Sequence, residues 1–202
     1  MDPIISELSA TDQNVRAAFM KRQGKGARYD AHNAPIEELL LARRGAAYFA
    51  RQLNELTNSE LYGESRISGW TRAKLISDIS YRARSLANIL AQVRSRTSNK
   101  DIFQEPNLKL ASTLPSQALR YLFTHTDIHL NVEFRDLKAE DWDLPFPREL
   151  HPKLKIRKAP YLRAETIWLG TYNLSAGCKL RHLPTQILRT NPTAQYKKSF
   201  NQ

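Results

Sequence analysis

An all-α helical bundle is the fold class this sequence predicts, and three observations lead there. Apolar residues recur at three- and four-residue steps over several long segments, the spacing that places them on one helical face. No alternating strand pattern of comparable length competes. Proline or threonine stands at the start of each of the stronger segments, where helices begin. The 202 residues are 41% hydrophobic, enough for one domain with a core.

Residues from about Thr11 to Arg28 read as a helix interrupted by Gly24 and Gly26, which cost helix stability. After Asn33-Ala34-Pro35, a stronger segment runs from Ile36 to Leu56, with Leu39, Leu40, Ala46, Ala47, Phe49 and Leu53 as its expected buried side. Residues 61–65 form a loop. Thr71 is placed to cap the next helix, because its hydroxyl can accept an otherwise unpaired backbone N–H. Within that helix Leu75, Ile79, Ala83, Leu86, Leu90 and Val93 make the apolar stripe, and Asp78 falls at the stripe's edge, pointing toward the bundle interior.

A polar loop at 97–99 and a looser connection lead to Pro115, which starts a third long helix with Leu119, Phe123, Leu130, Phe134 and Leu137 facing the core. The tract with Pro145, Pro147 and Pro152 cannot continue a helix. A fourth helix begins at Pro160 and runs through Trp168 to Leu174, ending at Ser175-Ala176-Gly177 with a glycine suited to a left-handed cap. Residues 1–183 are therefore assigned to the bundle. The polar stretch 184–202 is expected to be a loosely ordered tail. Trp70, Trp142 and Trp168 are expected to be packing anchors, with Trp70 substantially buried at the head of its helix.

Composition excludes several classes of function. The single cysteine, Cys178, rules out an internal disulfide or a CxxC metal site, and reads as a small buried hydrophobe. No signal-like leader and no membrane-length apolar run is present, so a cytoplasmic protein without a membrane partner is expected. Net charge is +11, which favours attraction to phosphates. Yet the basic residues are scattered, apart from one concentration from Arg148 to Arg163 that follows an acidic stretch, Glu133 to Asp143. With no helix-turn-helix, zinc-finger or stacking motif, no specific nucleic-acid partner is expected. A basic module that binds an acidic partner or RNA through Arg148 to Arg163 remains the reading from a different class. Oligomeric state is not legible.

Three blocks, in order, carry a family resemblance: Gly69-Trp70-Thr71-Arg72; Leu114-Pro115 through His129-Leu130-Asn131 to Phe134-Arg135-Asp136-Leu137; and Pro160-Tyr161-Leu162-Arg163-Ala164-Glu165-Thr166-Ile167-Trp168-Leu169-Gly170. Together they resemble the metal-binding, DinB-like N-terminal domain of the mycothiol-dependent maleylpyruvate isomerase family. The resemblance implies a DinB-like four-helix bundle. It also implies a divalent metal, usually zinc, held by a His on the helix after Gly-Trp-Thr and by a Glu and a His four residues apart on the last helix. Such a pair projects from one helical face, and a third ligand from a facing helix leaves an open position. In this sequence those positions are Asp78, Thr166 and Gly170. The family reaction is cis–trans isomerisation of maleylpyruvate to fumarylpyruvate by thiol addition, rotation and elimination, with mycothiol or glutathione as thiol cofactor and a small dicarboxylate as substrate.

The substituted ligand positions lead to the expectation that the metal is not retained and that activity is weak or lost. The chain stops soon after the bundle, so the α/β domain of full-length family members is expected to be largely missing, with the tail its remnant. A rearranged site is the alternative. His125, His129 and Glu133 recur every four residues on one flank of the third helix, with Asp78 as a further candidate in a zinc set facing them; the duller account is that they pair with one another or with Arg135. Arg163 is a candidate to hold a substrate carboxylate, since Arg suits bidentate recognition. Replacing Gly170 should stabilise its helix slightly, glycine being a poor helix former.

Overall fold

The computed structural model describes residues 30–97, 106–146 and 154–198. The helix expected over Thr11 to Arg28 lies outside them. Four long helices carry the fold: α1 (Ile36–Glu55), α2 (Arg72–Ser95), α4 (Ser116–Asp136) and α5 (Ala159–Asn173). Two short α-helices, α3 (Leu108–Ala111) and α6 (Pro192–Lys198), and single 3-10 turns lie between and after them. No described helix is long and apolar enough to cross a membrane.

The helix boundaries follow from local chemistry. Thr71 Oγ1 accepts the backbone N–H of Lys74 at 3.2 Å, as its hydroxyl predicts. Pro35 and Pro115 precede α1 and α4, and Pro160 lies in the first turn of α5, where a missing N–H costs nothing. At its far end α2 closes on Arg96, held in a left-handed conformation (φ 55°) with its N–H returned to Gln92 and Val93.

Contacts along the helices set their directions. Residues early in α1 meet the middle of α5: Trp168 Nε1 donates to Leu41 O at 3.0 Å, and Gly45 lies under Ile167 and Trp168. Gln52, further along α1, reaches Gly177 just beyond α5, so α1 and α5 run parallel. A β-carbon at Gly45 would sit 2.6 Å from Ile167 Cγ2 and 2.8 Å from Trp168 Nε1, so the close approach of these helices requires glycine there. The start of α2 packs in one cluster with Leu119 and Phe123, and its end ties to Glu133 through Arg94, so α2 and α4 are parallel as well. Between the pairs the direction reverses. Arg120 on α4 donates to Leu53 O and to Leu56 O at the end of α1, and Arg72 at the start of α2 donates to Leu174 O beyond α5 at 2.9 Å.

Two apolar clusters fill the bundle. One gathers Phe49, Leu53, Ile76, Ile79, Phe123, Ile167 and Leu169; the other gathers Leu39, Ala83, Leu90, Leu130, Phe134, Trp142 and Ile156. Side chains tie the helices together across the bundle: Arg163 on α5 reaches Asp127 on α4 at 3.0 Å, and Arg43 on α1 reaches Asn131 at 3.3 Å and Asp30 at 2.7 Å.

Several expectations are corrected here. On α1 the buried stripe is Leu39, Ala42, Ala46, Phe49 and Leu53, while Leu40 and Ala47 face outward. Trp142 and Trp168 are buried, but Trp70 is only half-buried, with the Lys74 ammonium 4.4 Å from its ring centroid. The looser connection before Leu114 contains α3. The largest correction concerns the segment expected to be a loose tail. Residues 184–198 fold back on the bundle: Ile187 and Tyr196 are fully buried in the first cluster, and α6 lies against α5. Burial of these two large side chains supplies what so short a helix cannot supply from its own hydrogen bonds.

Candidate functional site

Asp78 on α2 and Gly170 on α5 meet at Tyr196 of α6, which closes the groove between the two long helices there, while Thr166, one turn earlier on α5, lines a shallow pocket with Arg82. Asp78 sits on the second turn of α2 at 5% exposure, and its Oδ2 accepts two hydrogen bonds, from Tyr196 Oη at 2.6 Å and from Arg82 Nε at 2.9 Å. Burial raises the Asp78 carboxyl above the ordinary aspartate range, against the opposing pull of Arg82 and the Tyr196 hydroxyl. Burial and the neighbouring carboxylate likewise push the Tyr196 phenol well above its usual value, so it stays protonated and donates.

The other two positions offer little to a ligand. Thr166 Oγ1 donates back to Leu162 O at 2.9 Å within its own helix. At Gly170 a β-carbon would lie 2.3 Å from Ile79 Cδ1 and 3.6 Å from Tyr196 Cε2, so the space a side chain would need holds Ile79 and the tyrosine ring. The expectation that replacing Gly170 stabilises α5 is therefore corrected: Ile79, itself fully buried, would have to move.

Asp78 is not brought to His125, His129 and Glu133. Because α2 and α4 run parallel, the α2 residue facing Glu133 is Arg94, which lies roughly 24 Å along the helix from Asp78 at 1.5 Å per residue. Arg94 Nε and Nη2 donate to the buried Glu133 carboxylate at 3.2 and 3.4 Å, and His129 Nε2 stands 3.7 Å from Glu133 Oε1. His125 is exposed one turn earlier. Arg135, the other partner considered for this flank, bonds Asp136 instead at 3.0 Å. Among the described residues, no three His, Cys, Asp or Glu side chains are grouped to hold a metal ion.

Arg163, the candidate for a substrate carboxylate, lies in the core. It is 4% exposed, donating to Asp127 Oδ1 at 3.0 Å and to Ile79 O at 3.2 Å, and burial lowers its affinity for the proton while Asp127 opposes that change. Of the other basic residues between Arg148 and Arg163 that are described, Lys155 and Arg157 pair with Asp143 at 3.8 and 3.5 Å. Cys178 is buried, as expected, and burial pushes its thiol up.

The residue that sequence reasoning missed is Tyr196. A signal was present: Asn191-Pro192 is a helix-start pair, and Asn191 Oδ1 accepts the N–H of Thr193 at 3.0 Å and of Ala194 at 3.3 Å.

Two parallel helix pairs, crossed in opposite directions and joined by long connections, define an all-α DinB-like four-helix bundle. Residues 42–169 match the family model described as the mycothiol maleylpyruvate isomerase N-terminal domain, and the chain belongs to that family. Among solved structures it is similar to a mycothiol-dependent maleylpyruvate isomerase, at a TM-score of 0.70 and 26% identity over 76% of this chain. A histidine-to-alanine mutant of a mycothiol-dependent maleylpyruvate isomerase matches at a TM-score of 0.69 and the same identity. In both cases the match covers 65% of the solved chain. No curated protein matches.

Proposed function

We propose that this chain is a maleylpyruvate isomerase-like protein in which metal-assisted, thiol-dependent isomerisation is weak or lost. One observation supports the reading: at two of the positions the resemblance gives to metal ligands, the Tyr196 hydroxyl is bonded to Asp78 and Ile79 fills the space beside Gly170. A divalent ion of this kind takes three protein ligands and keeps a fourth position for solvent or substrate. The residues present do not fit it. They supply one carboxylate whose Oδ2 is already shared by a phenol and a guanidinium, one threonine hydroxyl turned back on its helix, and one glycine.

What the bundle keeps is its scaffold. Were the family chemistry retained, it would need a thiol cofactor, mycothiol or glutathione, and a dicarboxylate substrate, and the Asp78 groove would have to open to admit them. The test is turnover of maleylpyruvate to fumarylpyruvate by the purified chain, with mycothiol and with glutathione, with and without added zinc. The expected rate equals that of the thiol alone. A zinc-dependent rate well above that blank, abolished by Asp78→Ala, would overturn the proposal.

A further inference from the structure

On the other flank of α5, away from Asp78, the C-terminal segment and the helix enclose a cleft of about 340 Å³, within the range of small-molecule sites. Its cations are Lys158, Arg189 and Lys198, and none of the three is ion-paired to a carboxylate among the described residues. Tyr161 organises two of them: the Lys158 ammonium and the Arg189 guanidinium lie 5.8 and 5.6 Å from its ring centroid, and Arg189 Nη2 donates to its hydroxyl at 2.8 Å.

The wall is held from beneath by one buried side chain. Gln195 Oε1 accepts the backbone N–H of Arg189 at 3.1 Å and of Thr190 at 3.3 Å. Its Nε2 donates to Ile187 O and to Glu165 Oε1, each at 2.8 Å. The turn that presents Arg189 is thereby fixed against α5 before any ligand arrives.

From this geometry we infer a binding site for a small organic anion. Three cations attract a dianionic oxygen group, phosphoryl or paired carboxylates, and Arg189 keeps further N–H donors for it. The apolar sides of Leu154 and Leu162 and the Tyr161 ring receive the ligand's body. Glu165, with one oxygen on Gln195, offers the other to a ligand hydroxyl or amine. The same carboxylate places negative charge within the cleft, so the site suits a compact anion and not the continuous phosphates of a nucleic acid. The inference is independent of the fate of the Asp78 groove.

The experiment is calorimetric titration of the full chain with inorganic phosphate and, separately, malonate, at physiological salt. Saturable one-to-one binding of either probe is expected; phosphate alone assigns a phosphoryl ligand, malonate alone a dicarboxylate. Lys158→Ala and Arg189→Ala should each weaken binding about tenfold, the loss of one charge-assisted hydrogen bond. Lys179→Ala, an exposed charge outside the cleft, should leave affinity unchanged. Absence of saturable binding of both probes at millimolar concentration would overturn the inference. So would equal weakening by all three substitutions, which would mean diffuse surface charge.

Discussion

Tyr196→Phe removes one oxygen atom from the core and nothing else. The ring still packs beside Gly170, so no cavity forms. What is lost is a 2.6 Å hydrogen bond onto a carboxylate that is 5% exposed and has no ready access to water. A hydrogen bond to a charged group contributes about 1.5–3 kcal/mol, so the variant should be less stable by that amount. Tyr196→Ala should cost more, about 3–5 kcal/mol, because it adds a cavity. Urea denaturation followed by circular dichroism measures both, with an unchanged dependence on denaturant showing that the native state is the same. Combining Tyr196→Phe with Asp78→Asn closes a double-mutant cycle whose coupling should be at least about 0.5 kcal/mol. A Tyr196→Phe variant within about 0.5 kcal/mol of the parent, the range of an ordinary surface change, would refute the idea that this bond latches α6 to the bundle.

Gly45→Ala should destabilise by about 1–3 kcal/mol, since its new methyl meets Ile167 and Trp168 where α1 and α5 are closest; thermal unfolding reads the loss, and an unchanged midpoint would contradict it. Arg163→Ala should cost about 2–5 kcal/mol in urea, since it empties a buried position and removes the donors to Asp127 and to Ile79 O. Stability should also depend on pH through Asp78, whose native carboxyl lies above its ordinary value of 3.8. The native state holds that proton more tightly than the unfolded chain, so this contribution is full below the ordinary aspartate range and falls as pH rises through the raised native value. The stability difference between the parent and Asp78→Asn should accordingly shift against the parent as pH increases over that window, and a constant difference would contradict the account.

The long helices were legible because their apolar residues repeat over many turns, and the caps at Thr71 and Pro160 are local chemistry. On α1 the run Leu39-Leu40-Leu41-Ala42 is apolar on every side, so spacing could not tell Leu39, which is buried, from Leu40, which is not. The pairing of parallel helices left no mark in the residues, and with it went the placement of Asp78 relative to His129 and Glu133. The Tyr196 to Asp78 bond joins residues 118 positions apart, and the short helix that delivers it is stabilised by tertiary burial. A glycine at position 170 reads in sequence as a missing ligand. In the fold it is also the space that Ile79 and Tyr196 occupy.

The most direct test of the proposed loss of the family metal site is the zinc content of the purified, dialysed chain, compared with that of Asp78→Ala. The account predicts no stoichiometric zinc in either protein. One equivalent of zinc in the parent that disappears in Asp78→Ala would contradict it, because the carboxylate bound to Tyr196 and Arg82 would then be a working ligand.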